Sequence, residues 1–306
     1  MIRVAVIGVG HLGQHHARLL ASMDGVDLVG ICDTNRPRAD EIAAKFGGRV
    51  FAEARDLISH VDAVTVAVPT VSHLDVALPF LSAGVATLVE KPIAPSVADA
   101  GRLIDAAERG GALLATGHTE RFNPAVAKAL PLISDPRFIE IHRLGTFPER
   151  SLDIDVIFDL MIHDLDLLLS VVKSEVIQIE AVGVNVLTPK ADIANARLRF
   201  ASGCIANVTA SRISRERVRK ARFFQNDAYV SIDYAAQELE IFRLVKGNGR
   251  PFIQGGKIAV DNEEPLRREL EDFIDAVRTR RQPGVSGRDG RDALALATRV
   301  AETMET

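Results

Sequence analysis

Cysteine is scarce in this sequence, with Cys32 and Cys204 the only two. Each sits in an apolar, strand-like context and neither has a metal-ligand spacing, so the pattern reads as buried free thiols rather than a disulfide framework. Any uncharged apolar stretch long enough for a membrane helix is also missing. The first residues read as a core strand, not as a basic region ahead of a cleavable apolar segment, and a cytoplasmic protein is expected. There is no excess of positive charge either. The formal net charge is −4, which gives no general reason to expect nucleic acid or a membrane surface as partner. No internal repeat and no low-complexity tract is present. What remains is ordinary globular composition, 47% hydrophobic and 25% charged over 306 residues, enough for two domains with sizeable cores.

The strongest positive signal is MIRVAVIGVGHLG at the start. An apolar run, Ile2 to Ile7, leads into Gly8-x-Gly10-x-x-Gly13 and then a helical pattern, the strand–turn–helix context that a dinucleotide fingerprint requires. Gly8 lets the chain turn off the strand, Gly10 keeps side chains away from a pyrophosphate, and Gly13 lets the helix approach the strand. Freed N–H groups and the helix dipole then meet the phosphates, so Gly8, Gly10, His11, Leu12 and Gly13 are candidate cofactor contacts. A second strand, VDLVGICD, ends in Asp33, placed to accept the ribose hydroxyls of NAD. A carboxylate there repels a 2′-phosphate, although Arg36 and Arg38 close behind leave NADP open. The bland alternative is a plain glycine turn with Asp33 as a helix cap.

The first part of the chain alternates strands (2–7, 26–33, 61–68, 86–90, 112–116) with helices (near 11–22, 35–46, 72–83, 96–109). Short, continuous, β-branched strands fit a sheet buried on both faces. Gly47, Gly84 and Gly110 fit C-terminal helix caps. After Asn123-Pro124 the pattern changes to the strand RFIEIHRLG, an apolar helix around 155–172, and strands at 176–186, 193–200, 203–213, 219–225, 228–234 and 238–245. Ser202-Gly203 and Asn226-Asp227 read as hairpin turns. The segment 246–264 reads as loops, and helices near 265–281 and 289–304 close the chain. The predicted fold class is a doubly wound parallel α/β (Rossmann) domain, 1–121, followed by an α+β domain, 122–306, with an open antiparallel sheet backed by helices. An uncovered sheet face predicts a homo-oligomer, a homodimer or homotetramer through that sheet.

Strand ATLVE ends in Glu90-Lys91-Pro92, and strand C-termini of such sheets face the cofactor, so Glu90 and Lys91 are candidate cofactor contacts. Lys91 could also bind a substrate hydroxyl, or simply pair with Glu90 at the surface. In DVIFDLMIHDLDLLLSVV, Asp155, Asp159 and His163 are four apart and are expected on one helical face. His163 could take a hydroxyl proton while hydride leaves the carbon, with Asp159 orienting it, or the pair could be a satisfied structural network. No third ligand is evident, so no metal is expected. Thr70 and His73, in a loop at the strand C-termini, could contact the cofactor ribose, or Thr70 or Ser72 could cap the next helix. Arg121 and Asn123 are candidate substrate contacts or parts of a charged hinge loop. The stretch RISRERVRKAR, 212–222, is either a site for an anionic substrate such as a diphosphate or a solvated strand edge.

Together these features resemble the glucose–fructose oxidoreductase/inositol dehydrogenase/MocA family. The resemblance rests on the glycine turn, Glu90-Lys91-Pro92, the Asp159-x-x-x-His163 pair, and the change from a doubly wound domain to an open antiparallel sheet. It implies an NAD- or NADP-dependent oxidoreductase that converts a sugar or cyclitol hydroxyl to a ketone, with Lys91, Asp159 and His163 as catalytic residues and a cis Lys91-Pro92 bond. GHTERFNPAV (117–126) and TASRISRERVRKARFFQNDAYVSIDYAAQ (209–237) are similar to the branch that oxidises C3 of UDP-N-acetylglucosamine. One departure stands out: family members often carry a glycine-rich run where this chain has Val156-Ile157-Phe158. Rival readings are a dehydrogenase of a free sugar, inositol or diol, and a non-catalytic dinucleotide-binding sensor.

Overall fold

In a computed structural model that describes residues 1–147, 154–246 and 250–304, the chain forms two compact units. The first comprises Met1–Thr119 with Pro265–Arg291, the second Glu120–Glu264 with Asp292–Thr306. The expected contiguous domains, 1–121 and 122–306, are therefore corrected: residues 265–291 pack with the first unit. The reason is apolar, since Leu270, Phe273 and Ile274 of helix Pro265–Thr279 bury in the same cluster as Val4, Val6 and Ile31.

In the first unit, β1 (Ile2–Ile7), β2 (Val26–Cys32), β3 (Arg49–Phe51), β4 (Ala63–Val66), β5 (Ala86–Glu90) and β6 (Leu114–Gly117) form one sheet in the order β3-β2-β1-β4-β5-β6. Every pairing is parallel. The strand order reverses between β1 and β4, and ligands of such sheets bind at that switch point. Four helices alternate with these strands: α1 (Gly13–Leu20), α2 (Arg36–Phe46), α3 (His73–Ser82) and α4 (Val97–Gly110). Asn35 caps α2 by accepting the Arg38 N–H, and Ser96 caps α4 by accepting that of Asp99. The left-handed cap of α4 is Gly111, not the expected Gly110. Gly110 is instead the last helical residue, where a Cβ would lie 2.0 Å from the Leu81 carbonyl oxygen.

The second unit holds β7 (Phe138–Leu144), β8 (Val176–Val184), β9 (Ile193–Phe200), β10 (Ile205–Ser211), β11 (Val218–Phe224), β12 (Ala228–Asp233), β13 (Glu238–Val245) and β14 (Phe252–Ile258). They form one sheet in the order β14-β13-β12-β11-β7-β10-β9-β8. All pairs are antiparallel except β7–β10, which is parallel. Strand β14 overturns the expectation of loops over 246–264. Its Gly255-Gly256 composition hid a strand that pairs with β13; residues 247–249 lie outside the described residues.

Period-2 alternation sorts this sheet into two faces. On β9, Ala194, Ala196, Leu198 and Phe200 are buried while Asn195, Arg197 and Arg199 are exposed. The buried face packs with α5 (Pro124–Ala129), α6 (Ile162–Val171) and Ala293, Leu296, Ala297 and Val300 in one core cluster. The opposite face carries a row of rings, Phe138–Phe224–Tyr229–Phe242, with centroids 5.5, 5.1 and 6.2 Å apart.

Candidate active site

In the first unit the glycine turn is locked by sterics. Gly8 adopts φ +82°, and a Cβ there would lie 2.7 Å from the Ala67 carbonyl oxygen. A Cβ on Gly13 would lie 1.8 Å from the Gly8 carbonyl oxygen. These two residues hold the turn against the chain after β4 and against α1. Gly10 differs, because no atom lies within 4 Å of where its Cβ would stand, so the backbone there is open to a ligand. Helix α1 has no side-chain cap and no acidic residue in its first turn, so the positive end of its dipole is not neutralised at the turn. His11 and Leu12 are exposed on the same turn. Asp33 accepts the Val9 N–H at 2.7 Å and the Asn35 N–H at 2.8 Å, which fixes the carboxylate beside the turn. This cradle fits a dinucleotide, which Gly8–Gly13 would meet at the pyrophosphate and Asp33 at a ribose.

The loops after β4 and β5 are tied together from below. His73 is buried, with Nδ1 2.9 Å from the Pro92 carbonyl oxygen and Nε2 2.9 Å from that of Val68. Burial pushes its pKa down. Glu90 is buried with Oε1 3.0 Å from His16 Nε2, while Oε2 accepts the Lys91 N–H. Burial works to raise the Glu90 pKa, but the hydrogen bond and charge of His16 outweigh it and the pKa falls. The Lys91-Pro92 bond is cis. Lys91 is half-buried, and Thr70 opens a short 3₁₀ turn, Thr70–Ser72, in which neither Thr70 nor Ser72 caps α3.

In the second unit the expected straight helical stripe is corrected. Ile157–Met161 is a π-helical turn, followed by α6. Asp155 lies ahead of it, its backbone carbonyl accepting the Asp159 N–H and its carboxylate the Ala191 N–H at 2.8 Å. Asp159 sits in the π-turn and His163 just beyond, both half-buried. Such turns recur at functional sites because they redirect side chains off the α-helical face. The next carboxylate, Asp164, is fully buried and holds Arg143 through two bonds of 2.7 and 2.8 Å. Arg143 Nη1 also reaches Glu120 at 3.0 Å. Burial alone would lower the Arg143 pKa, but Asp164 and Glu120 outweigh it and hold it well above the ordinary value.

The chain matches two family models, the oxidoreductase family with NAD-binding Rossmann fold over residues 2–118 and the GFO/IDH/MocA C-terminal domain over residues 97–230. The chain belongs to this family. It is 39% identical to the UDP-N-acetylglucosamine 3-dehydrogenase of Acidithiobacillus ferrooxidans over 99% of this chain and 97% of that protein. A solved structure of that enzyme superposes with a TM-score of 0.93, covering 99% of this chain and 98% of the other. The myo-inositol 2-dehydrogenase of Thermotoga maritima is 26% identical over 99% of this chain and 96% of its own. The protein is thus a GFO/IDH/MocA oxidoreductase with an NAD-binding domain.

Several expected contacts have other work in this family member. Both ring nitrogens of His73 face backbone carbonyls, so it supports the loops from beneath rather than reaching a ribose. The Glu90 carboxylate is likewise spent inward. Asn123 is buried, caps α5 by accepting the Ala125 N–H, and donates to the Tyr234 carbonyl at 2.9 Å, which makes it a structural tie and not a substrate contact. Arg121 lies 3.4 Å from Asp166. The basic stretch 212–222 is not one anion site. Arg212 is fully buried and bonds Asp192, Thr188 and the Ile154 carbonyl. Lys220 pairs with Asp233 and Arg222 with Glu140. The network missed in the sequence is Glu120–Arg143–Asp164. Its available signal was Asp164 and Asp166 inside the apolar run IHDLDLLL, where buried carboxylates demand partners.

Proposed function

We propose that this protein is an NAD-dependent dehydrogenase of a nucleotide sugar, oxidising the C3 hydroxyl of UDP-N-acetylglucosamine to a ketone. The observation that carries the substrate is the end-to-end likeness to the Acidithiobacillus enzyme, 39% identical with a TM-score of 0.93. NAD in preference to NADP is supported by Asp33 beside the turn and by the commitments of its neighbours. Arg36 is paired with Asp40, and Arg38 bonds Glu41, Gln14 and the Val9 carbonyl, so neither offers its charge to a 2′-phosphate.

Bound NAD would supply the hydride acceptor. Gly8, Gly10, His11, Leu12, Gly13 and Asp33 hold it, with Thr70 beside the ribose. His163 takes the hydroxyl proton as the C–H bond gives up its hydride and the C=O bond forms. Asp159 orients the imidazole or holds a neighbouring hydroxyl, Lys91 donates to the reacting oxygen, and Arg121 contacts the sugar. Positioning supplies much of the rate. The ring-lined face of the second unit's sheet is proposed to bury against a second copy in a homodimer or a homotetramer, and the setting is proposed to be the cytoplasm.

The test is absorbance of NADH when purified protein meets NAD and UDP-N-acetylglucosamine with hydrazine present to trap the ketone. Formation of NADH that needs the UDP group supports the reading. NADH formed with free sugars or inositols but not with the nucleotide sugar overturns the substrate and keeps the family.

A further inference from the structure

We infer that Arg219 grips the diphosphate of the substrate, an inference that rests on the nucleotide-sugar reading above. Strand β11 alternates its residues between the two faces of the sheet. Ala221 and Phe223 are fully buried on the helix-covered face. Arg219 shares that face by register, yet it is solvent-accessible, so it stands where the cover of the sheet ends. Lys220 and Arg222 belong to the opposite face, each with its own carboxylate.

The neighbour of Arg219 across the ladder is another cation. Its register partner on β7 is Arg143, whose charge is matched by Asp164 at 2.7 and 2.8 Å and Glu120 at 3.0 Å. The Arg219 side chain makes no hydrogen bond or ion pair among the described residues, while Arg217 reaches the Thr146 hydroxyl at 3.4 Å. Like charges directly opposite in an antiparallel pair destabilise each other. Partial burial and the Arg143 charge push the Arg219 pKa down, against the opposing pull of Glu120 and Asp164. A dianionic group with several acceptor oxygens relieves this tension, and a planar guanidinium fork matches phosphate oxygens two at a time. The placement is also productive. Asp164, which holds Arg143, directly follows His163 in the chain, so Arg219 stands on the face that packs against the helix bearing the proposed base.

Arg219→Gln and Arg219→Lys are compared with the unaltered protein, using UDP-N-acetylglucosamine as substrate, UDP as competitive inhibitor, and NADH titration by fluorescence. Arg219→Gln should raise KM for the nucleotide sugar and Ki for UDP by ~10- to 100-fold, the scale of one charge-assisted hydrogen bond. NADH affinity should hold, and the thermal midpoint should stay level or rise, because the cation directly opposite Arg143 has gone. Arg219→Lys, which keeps the charge without the fork, should fall between and serves alone if Arg219→Gln does not fold. Unchanged KM and Ki in both variants, or a loss of kcat at constant KM, would overturn the inference alone. An unaltered protein that oxidises a free sugar and ignores both UDP compounds would overturn the nucleotide-sugar reading and this inference with it.

Discussion

Replacing Asp192 by asparagine removes the carboxylate that Arg212 holds at 2.8 Å, with both residues almost wholly buried. Oδ2 of Asp192 also accepts the N–H groups of Val186, Leu187 and Thr188 at 2.9, 2.6 and 2.9 Å, and Oδ1 accepts the Thr188 hydroxyl at 2.8 Å. An amide has one acceptor oxygen, so its NH₂ must face donors whichever way it turns. Stripping one partner from a buried ion pair costs about 3–5 kcal/mol. At roughly 2–4 °C per kcal/mol, the midpoint of the second unit should fall by about 6–20 °C. The acid branch should change too. Burial works against the Asp192 charge, but the Leu187 N–H, Arg212 and Thr188 outweigh it and hold the pKa well below the usual carboxylate range. A depressed carboxyl contributes stability that is fully present above its unfolded value near pH ~3.9 and is lost as pH falls through the folded one. Asp192→Asn should therefore flatten the loss of stability below about pH 4. Calorimetry from pH 2.5 to 7 measures both effects. Asp192→Asn combined with Arg212→Met should regain part of the midpoint, since the orphaned cation is gone. A midpoint within about 2 °C of the unaltered protein, with the same acid slope, would refute this account of the network.

Gly10, which is open, and Gly13, which is enclosed, should separate binding from folding. Gly10→Ala should keep the thermal midpoint but weaken NAD binding at least about tenfold, a 1.4 kcal/mol loss, whereas Gly13→Ala should lower the midpoint through overpacking of about 1–3 kcal/mol or more; fluorescence titration and scanning calorimetry distinguish them. His163→Ala and Lys91→Ala should each bind NAD almost normally and lose at least about a hundredfold in turnover, with wild-type rates in either refuting its role. Phe242→Asp, in the ring row of the open sheet face, should shift the mass seen by light scattering to that of one chain, and an unchanged mass would remove this face from the proposed assembly.

Local signals carried most of the first unit. Its strands are short apolar runs, its turns are marked by glycine and its helix starts by Asn35 and Ser96, so period and punctuation located nearly every element. β3 escaped because three residues hold no period. In the second unit, hairpin turns revealed the meander, but β14 was hidden by glycines. The parallel β7–β10 pairing was hidden because no turn announces a long-range partner.

The site divides the same way. The sequence by itself marked the glycine turn, Asp33, the Glu90-Lys91-Pro92 corner and the Asp159–His163 pair as candidates, because each is a short string with a recognisable spacing. Tertiary structure alone decided which polar groups are committed elsewhere. His73, Asn123 and Arg212 look available in one dimension and are spent in three, since a buried polar atom takes whatever partner the fold brings within hydrogen-bond reach. The same holds for charge. A run of basic residues along a strand cannot say which of them turns toward carboxylates, because alternate residues face opposite sides and their partners come from strands distant in sequence.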